Sequence, residues 1–132
     1  MAHILVVDDE VEIRGFIADA LTNEGHVVSQ AGDGREAMEK IRADPQDLII
    51  TDILMLVWDG IDLMISLTRE GRKVPVIAMT GIPPELVPYL RIAHRLGAVR
   101  TLSKPFNISE LLKVTKEAIA WRSAKRTKPE TA

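Results

Sequence analysis

The chain has 132 residues, of which 46% are hydrophobic and 27% charged, and it contains no cysteine. This length suits a single domain with its own core, and the missing cysteine excludes disulfides, thiolate metal sites and a cysteine nucleophile. No uncharged apolar run of about 18 residues is present, and the N-terminus lacks the basic and apolar regions of a signal peptide. We therefore expect a cytoplasmic protein that does not span a membrane.

Charge is distributed unevenly along the chain, although the net charge is only -2. Residues 1–62 contain 14 acidic and 4 basic residues, whereas residues 63–132 contain 5 acidic and 13 basic ones. A basic half can attract an acidic partner or the phosphates of a nucleic acid. Because no helix-turn-helix pattern or additional domain accompanies these charges, we do not expect direct nucleic-acid binding.

Short β-rich runs alternate with amphipathic segments, which predicts βαβ units and a parallel sheet covered on both faces. The predicted strands have the sequences HILVV, HVVSQA, DLIITD, VPVIAMT and AVRTLSK. Apolar residues at helical spacing predict a first helix that contains Ile13 to Leu21 and is closed by Gly25. A second helix is predicted over GREAMEKIRA and a third from about Ile61 to Arg69.

The segment GIPPELVPYLRIAHRLG is the least regular, because proline resists a helix interior. Its helix is predicted to begin near Pro84 with a kink, or only near Pro88. The last helix has a clearer start, since Asn107 can cap it and Glu110 follows three residues later. We expect this helix to end at about Arg122, which divides the chain into a domain over 1–122 and a basic, flexible tail over 123–132.

Polar side chains lie where four of the predicted strands end. Asp8 and Asp9 follow the first strand, and Asp52, Thr80 and Lys104 end the third, fourth and fifth strands. In parallel α/β sheets, functional groups gather beyond the carboxyl ends of the strands. If these strands are adjacent, their ends present three carboxylates, a hydroxyl and an ammonium group around one pocket.

Clustered carboxylates are tolerated when they share a hard divalent cation, and Mg²⁺ uses one or two carboxylates together with waters and phosphate oxygens. A carboxylate oxygen can then attack phosphorus, while a lysine and a hydroxyl hold the remaining oxygens. The sequence therefore predicts a cation site at Asp8 and Asp9 that serves a reaction at Asp52.

Several ordered motifs resemble those of response-regulator receiver domains, the phosphoacceptor modules of bacterial two-component signalling. These motifs are VVDDE, LIITD with the DG at Asp59 and Gly60, AMTG, and LSKPF. The resemblance extends over roughly His3 to Arg122. It implies an α/β, flavodoxin-like, doubly wound fold, in which a five-stranded parallel sheet of order 2-1-3-4-5 is flanked by five helices.

The resemblance also implies a metal-binding role for several residues. Asp52 would accept the phosphoryl group and help to bind Mg²⁺ or Mn²⁺. Asp9 would bind the cation directly, whereas Asp8 would act mainly through water. The backbone carbonyl of Leu54 would complete the protein ligands.

Two further residues are implied to contact the phosphoryl oxygens, namely Thr80 and Lys104. The peptide bond between Lys104 and Pro105 corresponds to the family's lysine-proline step, which is often cis. A rigid step at this position would aim the lysine side chain.

Three positions depart from the family pattern. Leu56 and Trp58 occupy positions that are usually proline and methionine, and Thr101 replaces a tyrosine or phenylalanine that swings inward on phosphorylation. Because threonine cannot fill the space of that ring, backbone movement, loop movement or another side chain must carry the signal.

The resemblance implies a regulator rather than an enzyme, because the acyl phosphate remains on the protein. Its partners would be a sensor histidine kinase or a histidine phosphotransfer protein, and a downstream protein target. The chain ends soon after the last predicted helix, which favours a single-domain receiver similar to chemotaxis regulators. A receiver excised from a longer regulator would have the same sequence features.

Other functions remain open at this point. The departures at Leu56, Trp58 and Thr101 suit a receiver-like interaction module that is never phosphorylated. A phosphohydrolase with Asp52 as nucleophile needs a second acid two residues later, where this chain has Leu54. A flavodoxin-like electron carrier is disfavoured, because the acids after the first strand would repel a flavin phosphate.

Two surfaces are candidates for partner binding. By resemblance, Arg14 and Phe16 on the first helix are candidate contacts with a kinase. A basic region offers a docking site for an acidic target or for a second copy of the chain, as a homodimer through the face between the fourth and fifth helices. This region consists of Arg91, Arg95, Arg100 and Lys113.

Overall fold

A computed structural model describes residues 1–53, 55, 58–81 and 87–127, with side chains throughout these ranges except at 87–90 and 123–127. Strands and helices alternate along these residues, and each element is named here by its order in the chain. The strands are β1 (His3–Val7), β2 (Val27–Ala31), β3 (Leu48–Asp52), β4 (Val76–Thr80) and β5 (Ala98–Ser103). The helices are α1 (Val11–Asn23), α2 (Gly34–Ala43), α3 (Gly60–Arg69), α4 (Val87–Arg95) and α5 (Ile108–Thr127).

All strands are parallel and form one five-stranded sheet in the order β2-β1-β3-β4-β5. This confirms the predicted doubly wound, flavodoxin-like fold. The strand order reverses between β1 and β3, where ligand sites form in sheets of this kind. The carboxyl ends of β1 and β3 therefore lie side by side at the place where the sequence puts its acidic residues.

The sheet separates two hydrophobic cores, because side chains alternate between its faces along each strand. In β1, Leu5 and Val7 belong to the core under α2, α3 and α4, while Ile4 and Val6 belong to the core under α1 and α5. Every residue of β3 and β4 is buried. Since the central strands have no exposed face, their C-terminal ends hold the site residues on a rigid base.

Side chains cap α2, α3 and α5, whose N-termini face this edge of the sheet. The Asp33 side chain accepts a hydrogen bond from the Glu36 amide at 2.8 Å at the start of α2. Asp59 and Asp62 form a reciprocal capping box at the start of α3. The predicted cap of α5 is confirmed, because Asn107 accepts a hydrogen bond from the Glu110 amide at 2.8 Å.

The ends of several elements differ slightly from the prediction. α4 begins at Val87, close to the later of the two predicted starts, while residues 82–86 lie outside the described residues. α5 was predicted to end at about Arg122, and this was wrong, because the helix continues to Thr127. No glycine or proline interrupts the sequence between those positions, so nothing in it breaks the helix there.

Within the described ranges, no helix has the length and apolar character needed to cross a membrane.

Candidate functional site

Four of the predicted site residues lie at the carboxyl edge of the sheet. Asp8 follows β1, Asp52 ends β3, Thr80 ends β4 and Lys104 follows β5. Asp8 is fully buried, while Asp52 is 7% and Thr80 is 5% exposed. The backbone carbonyl of Thr80 accepts a hydrogen bond from the Lys104 amide at 2.7 Å, which fixes the start of the lysine side chain beside β4.

The Lys104 ammonium group joins two of the buried carboxylates. Its Nζ lies 2.8 Å from Asp8 Oδ2 and 2.8 Å from Asp52 Oδ2. Burial by itself lowers the pKa of Lys104, but hydrogen bonds and attraction to Asp52 and Asp8 outweigh this effect and raise the pKa to about 12. Lys104 therefore stays charged and offsets the repulsion between the two carboxylates.

Carboxylate oxygens from four residues lie within 4.8 Å of one another, and these residues are Asp8, Asp9, Glu10 and Asp52. Asp8 and Asp52 are buried, whereas Asp9 and Glu10 are exposed. Such hard oxygen donors suit Mg²⁺, and an open side leaves room for the waters and phosphate oxygens that Mg²⁺ retains. Mn²⁺ favours the same donors. The residues present thus fit a divalent cation.

Glu10 is part of this group although its role was not predicted. Its Oε1 lies 3.6 Å from Lys104 Nζ, and its amide donates a hydrogen bond to Asp8 Oδ1 at 2.9 Å. The only signal in the sequence was a third acid in the run Asp8, Asp9 and Glu10. Asp8 Oδ1 thus accepts from the Glu10 amide in the turn after β1, while Asp8 Oδ2 contacts Lys104, so Asp8 holds both sides of the pocket.

Gly60, at the start of α3, lies very close to the end of β3. A Cβ atom added to Gly60 would lie 2.4 Å from the backbone oxygen of Asp52. Gly34 makes a similar approach, since its amide donates to the Trp58 carbonyl at 2.8 Å and an added Cβ would lie 2.5 Å from that oxygen. Glycine is needed at both positions for packing, a requirement that the sequence pattern did not reveal.

The structure describes two of the three positions that depart from the family pattern. Leu54 and Leu56 lie outside the described residues, so the predicted carbonyl ligand stays a prediction. Trp58 is 38% exposed and has a φ of 44°. Thr101 lies on β5 beside Ala78 and is partly buried.

The predicted step after β5 is confirmed, because the bond between Lys104 and Pro105 is cis. An apolar groove of about 390 Å³ opens next to this step. The rings of Phe16 and Phe106 are tilted within it, with their centroids 6.4 Å apart. The groove is lined by Glu12, Ile13, Phe16, Lys104, Pro105 and Phe106.

Comparisons with known proteins agree with this geometry. Residues 4–116 match the family model of the response regulator receiver domain. The transcriptional regulatory protein PdtaR of Mycobacterium tuberculosis is 36% identical over 120 residues, which cover 89% of this chain and 57% of PdtaR. The chain spans between about a quarter and three fifths of the length of the curated relatives that it matches.

Solved structures give the same result. The chemotaxis protein CheY4 of Vibrio cholerae superimposes with a TM-score of 0.81 at 32% identity, covering 89% of this chain and 98% of CheY4. A CheY-like receiver domain protein from Methanospirillum hungatei superimposes with a TM-score of 0.87 at 25% identity, covering 95% of this chain and 98% of that protein.

The fold and the acidic pocket agree with those of receiver domains of two-component systems, and the matched relatives are regulators rather than classical enzymes. The chain belongs to the response regulator receiver domain family. Receiver domains generally bind Mg²⁺ at an acidic pocket and interact with histidine kinases and downstream effectors.

Proposed function

We propose that this receiver domain accepts a phosphoryl group on Asp52 and that the modification changes its affinity for a downstream protein. The donor is a phosphohistidine on a sensor histidine kinase or a histidine phosphotransfer protein. The contact that supports this proposal best is the Lys104 ammonium, which lies 2.8 Å from both Asp8 and Asp52 inside a group of clustered acids.

The reaction forms one bond to phosphorus and breaks another. An oxygen of the Asp52 carboxylate attacks phosphorus, the bond from phosphorus to the histidine nitrogen breaks, and its electron pair stays on the imidazole. When the other ring nitrogen carries a proton, the imidazole leaves as a neutral group and no further proton transfer is required. Lys104 already contacts Asp52, so its ammonium group is placed to donate hydrogen bonds to the arriving phosphoryl oxygens.

A bound Mg²⁺ or Mn²⁺ would supply positive charge that offsets the charge of the transferring group. Asp9 and Asp52 would bind this cation directly, Asp8 mainly through water, and the backbone carbonyl of Leu54 would complete the protein ligands. The Thr80 hydroxyl would hold a phosphoryl oxygen on the side of β4.

We assign contact with the phosphodonor protein to the groove between α1 and the segment after β5. This surface is largely apolar, because Ile13, Phe16 and Phe106 line it and Phe16 is 43% exposed. Lys104 is also among the lining residues. A protein docked there would bring its phosphohistidine to the open side of the pocket. Phe16→Ala should therefore slow phosphorylation by a protein donor and leave phosphorylation by acetyl phosphate unchanged.

The output surface is proposed to be the basic region defined above. Arg91, Arg95 and Lys113 are exposed, while Arg100 lies 3.6 Å from Glu117 and donates to the Val99 carbonyl. An acidic target or a second copy of the chain would dock on these charges. Charge reversal at Arg91 and Arg95 should weaken target binding or dimerisation without changing phosphorylation.

The test is intact-mass spectrometry after incubation with acetyl phosphate, with and without Mg²⁺. Wild type should gain one phosphoryl group only when Mg²⁺ is present, and Asp52→Asn should gain none. Asp19→Asn is the matched control, because Asp19 is exposed on α1 and should be labelled like wild type.

Labelling of Asp52→Asn would place the phosphoryl group on another residue and overturn the assignment. If neither acetyl phosphate nor a kinase that accepts receiver domains labels wild type, the unphosphorylated interaction module becomes the better explanation. The replacement of the usual aromatic switch by Thr101 favours that second candidate.

A further inference from the structure

We infer that Arg14 is a positioning residue, which holds the turn after β1 in the shape that binds the divalent cation. This inference rests on the cation site of the proposed function. It concerns a side chain that the sequence suggested only as a contact for a kinase.

The Arg14 guanidinium joins the Asp8 backbone to the Gln30 side chain. Its Nη1 donates a hydrogen bond to the backbone carbonyl of Asp8 at 2.9 Å, and its Nε donates to Gln30 Oε1 at 3.1 Å. The planar guanidinium has its donors in a fixed arrangement, so a single side chain on α1 ties the turn after β1 to the end of β2.

The end of β2, where Arg14 contacts Gln30, is also held by hydrogen bonds. The Gln30 carbonyl accepts a hydrogen bond from the Lys40 ammonium, and the Asp8 amide donates to the Ala31 carbonyl at 3.1 Å. A Cβ atom added to Gly32 would lie 3.3 Å from Arg14 Nη1, so the glycine leaves room for the guanidinium. Arg14 is therefore held between a sheet edge and the acidic turn.

The contact with the Asp8 carbonyl bears directly on Asp9. Because the peptide bond is planar, holding the Asp8 oxygen fixes the direction of the following amide and of the Asp9 backbone. Across the part of the chain that the structure describes, the Asp9 side chain has no hydrogen bond or ion pair of its own. Its orientation toward the other acids thus depends on the turn, which Arg14 and the bond from Glu10 to Asp8 hold in place.

The experiment is calorimetric titration of MgCl₂ into the full chain. Arg14→Met should bind Mg²⁺ about tenfold more weakly than wild type, since removing a group that orients metal ligands typically costs 10–100-fold in affinity. Arg14→Lys keeps the charge but loses the planar fork, so it should restore only part of the affinity. Arg69→Met is the control, because Arg69 is exposed at the end of α3 and should not alter binding.

A double-mutant cycle separates positioning from general destabilisation. Gln30→Leu should also weaken Mg²⁺ binding, and Arg14→Met combined with Gln30→Leu should bind no more weakly than Arg14→Met alone, because both act through one contact. Gln30→Leu leaves Arg14 in place, so it carries the test if Arg14→Met fails to fold. Labelling by acetyl phosphate should recover to the wild-type rate in Arg14→Met at saturating Mg²⁺.

Two results would overturn the inference. Wild-type Mg²⁺ affinity in Arg14→Met, with slower transfer only from a protein donor, would make Arg14 a docking residue. Additive losses in the double variant would show that the two side chains act independently. A wild type that fails to bind Mg²⁺ would remove the cation site of the proposed function. Normal Mg²⁺ binding by wild type together with either of the two results above would overturn this inference alone, so the two failures are distinguishable.

Discussion

Replacing Gly60 with alanine should destabilise the domain, although alanine ordinarily favours a helix over glycine. Gly60 is the first residue of α3, and an added Cβ would lie 2.4 Å from the Asp52 backbone oxygen and 3.0 Å from the Ile53 Cα atom. Both are backbone atoms, which cannot rotate away as a side chain can. The strand end that carries Asp52 or the start of α3 must therefore move.

The expected change in the free energy of unfolding at Gly60 is best seen beside Gly15, a helical glycine without such a clash. Forcing extra atoms into a well-packed site typically costs about 1–3 kcal/mol. Gly15 lies within α1, and apart from its chain neighbours and the adjacent helix backbone no atom lies within 4 Å of an added Cβ. Gly15→Ala should therefore instead stabilise the domain by about 0.5–1 kcal/mol. A chain of this length shifts its melting temperature by about 4 °C per kcal/mol.

The assay compares thermal and urea unfolding of wild type, Gly15→Ala and Gly60→Ala. We expect Gly15→Ala to melt a few degrees above wild type and Gly60→Ala several degrees below it. Phosphorylation by acetyl phosphate should also slow in Gly60→Ala, because the clash moves the Asp52 backbone. If Gly60→Ala were as stable as Gly15→Ala, the close approach of Gly60 to Asp52 would be refuted.

Three further predictions concern stability. Thr115 Oγ1 is buried without a hydrogen-bond partner among the described residues, so Thr115→Val should raise the free energy of unfolding by about 1 kcal/mol; a lower value in urea would contradict this. Burial and the nearby N-terminal amine lower the pKa of His26, whose Nδ1 accepts the Ala2 amide at 3.1 Å. Neutral His26 therefore stabilises the fold above pH 6.5, and this stabilisation is lost as the pH falls. The free energy of unfolding, measured from pH 7.5 to about 5, should fall less in His26→Gln than in wild type. The pKa of Lys104 is raised from 10.5 to about 12. The charged Lys104 therefore stabilises the fold below pH 10.5, and this stabilisation is lost toward pH 12. If the free energy of unfolding fell equally over this range in Lys104→Met and in wild type, the prediction would be contradicted.

Local sequence signals predicted much of the fold, because they act through neighbouring residues. The ends of β1 and α2 coincide with the predicted segments, and the Asn107 cap was predicted from spacing alone. The other strands begin or end within one or two residues of the prediction. The predicted end of α5 at about Arg122 was wrong, since the sequence contains no helix breaker there and the helix continues to Thr127.

The sequence also predicted which residues form the pocket. Alternating strands and helices require a parallel sheet, and a parallel sheet brings every strand's carboxyl end to the same edge. The positions of Asp8, Asp52, Thr80 and Lys104 at strand ends therefore predicted a shared pocket, and the structure brings them together there. The roles of these residues in phosphorylation stay predictions.

Contacts between different elements of the fold were decided only by tertiary packing. Three features leave no mark in local spacing: the clash that excludes a Cβ at Gly60, the reach of Arg14 to the Asp8 carbonyl, and the Thr115 hydroxyl, which has no partner among the described residues. Each depends on how closely two elements approach, and this distance is set by the packing of the whole core. The sequence by itself therefore determined which chemical groups meet at the edge of the sheet, while the tertiary structure determined how they are held there.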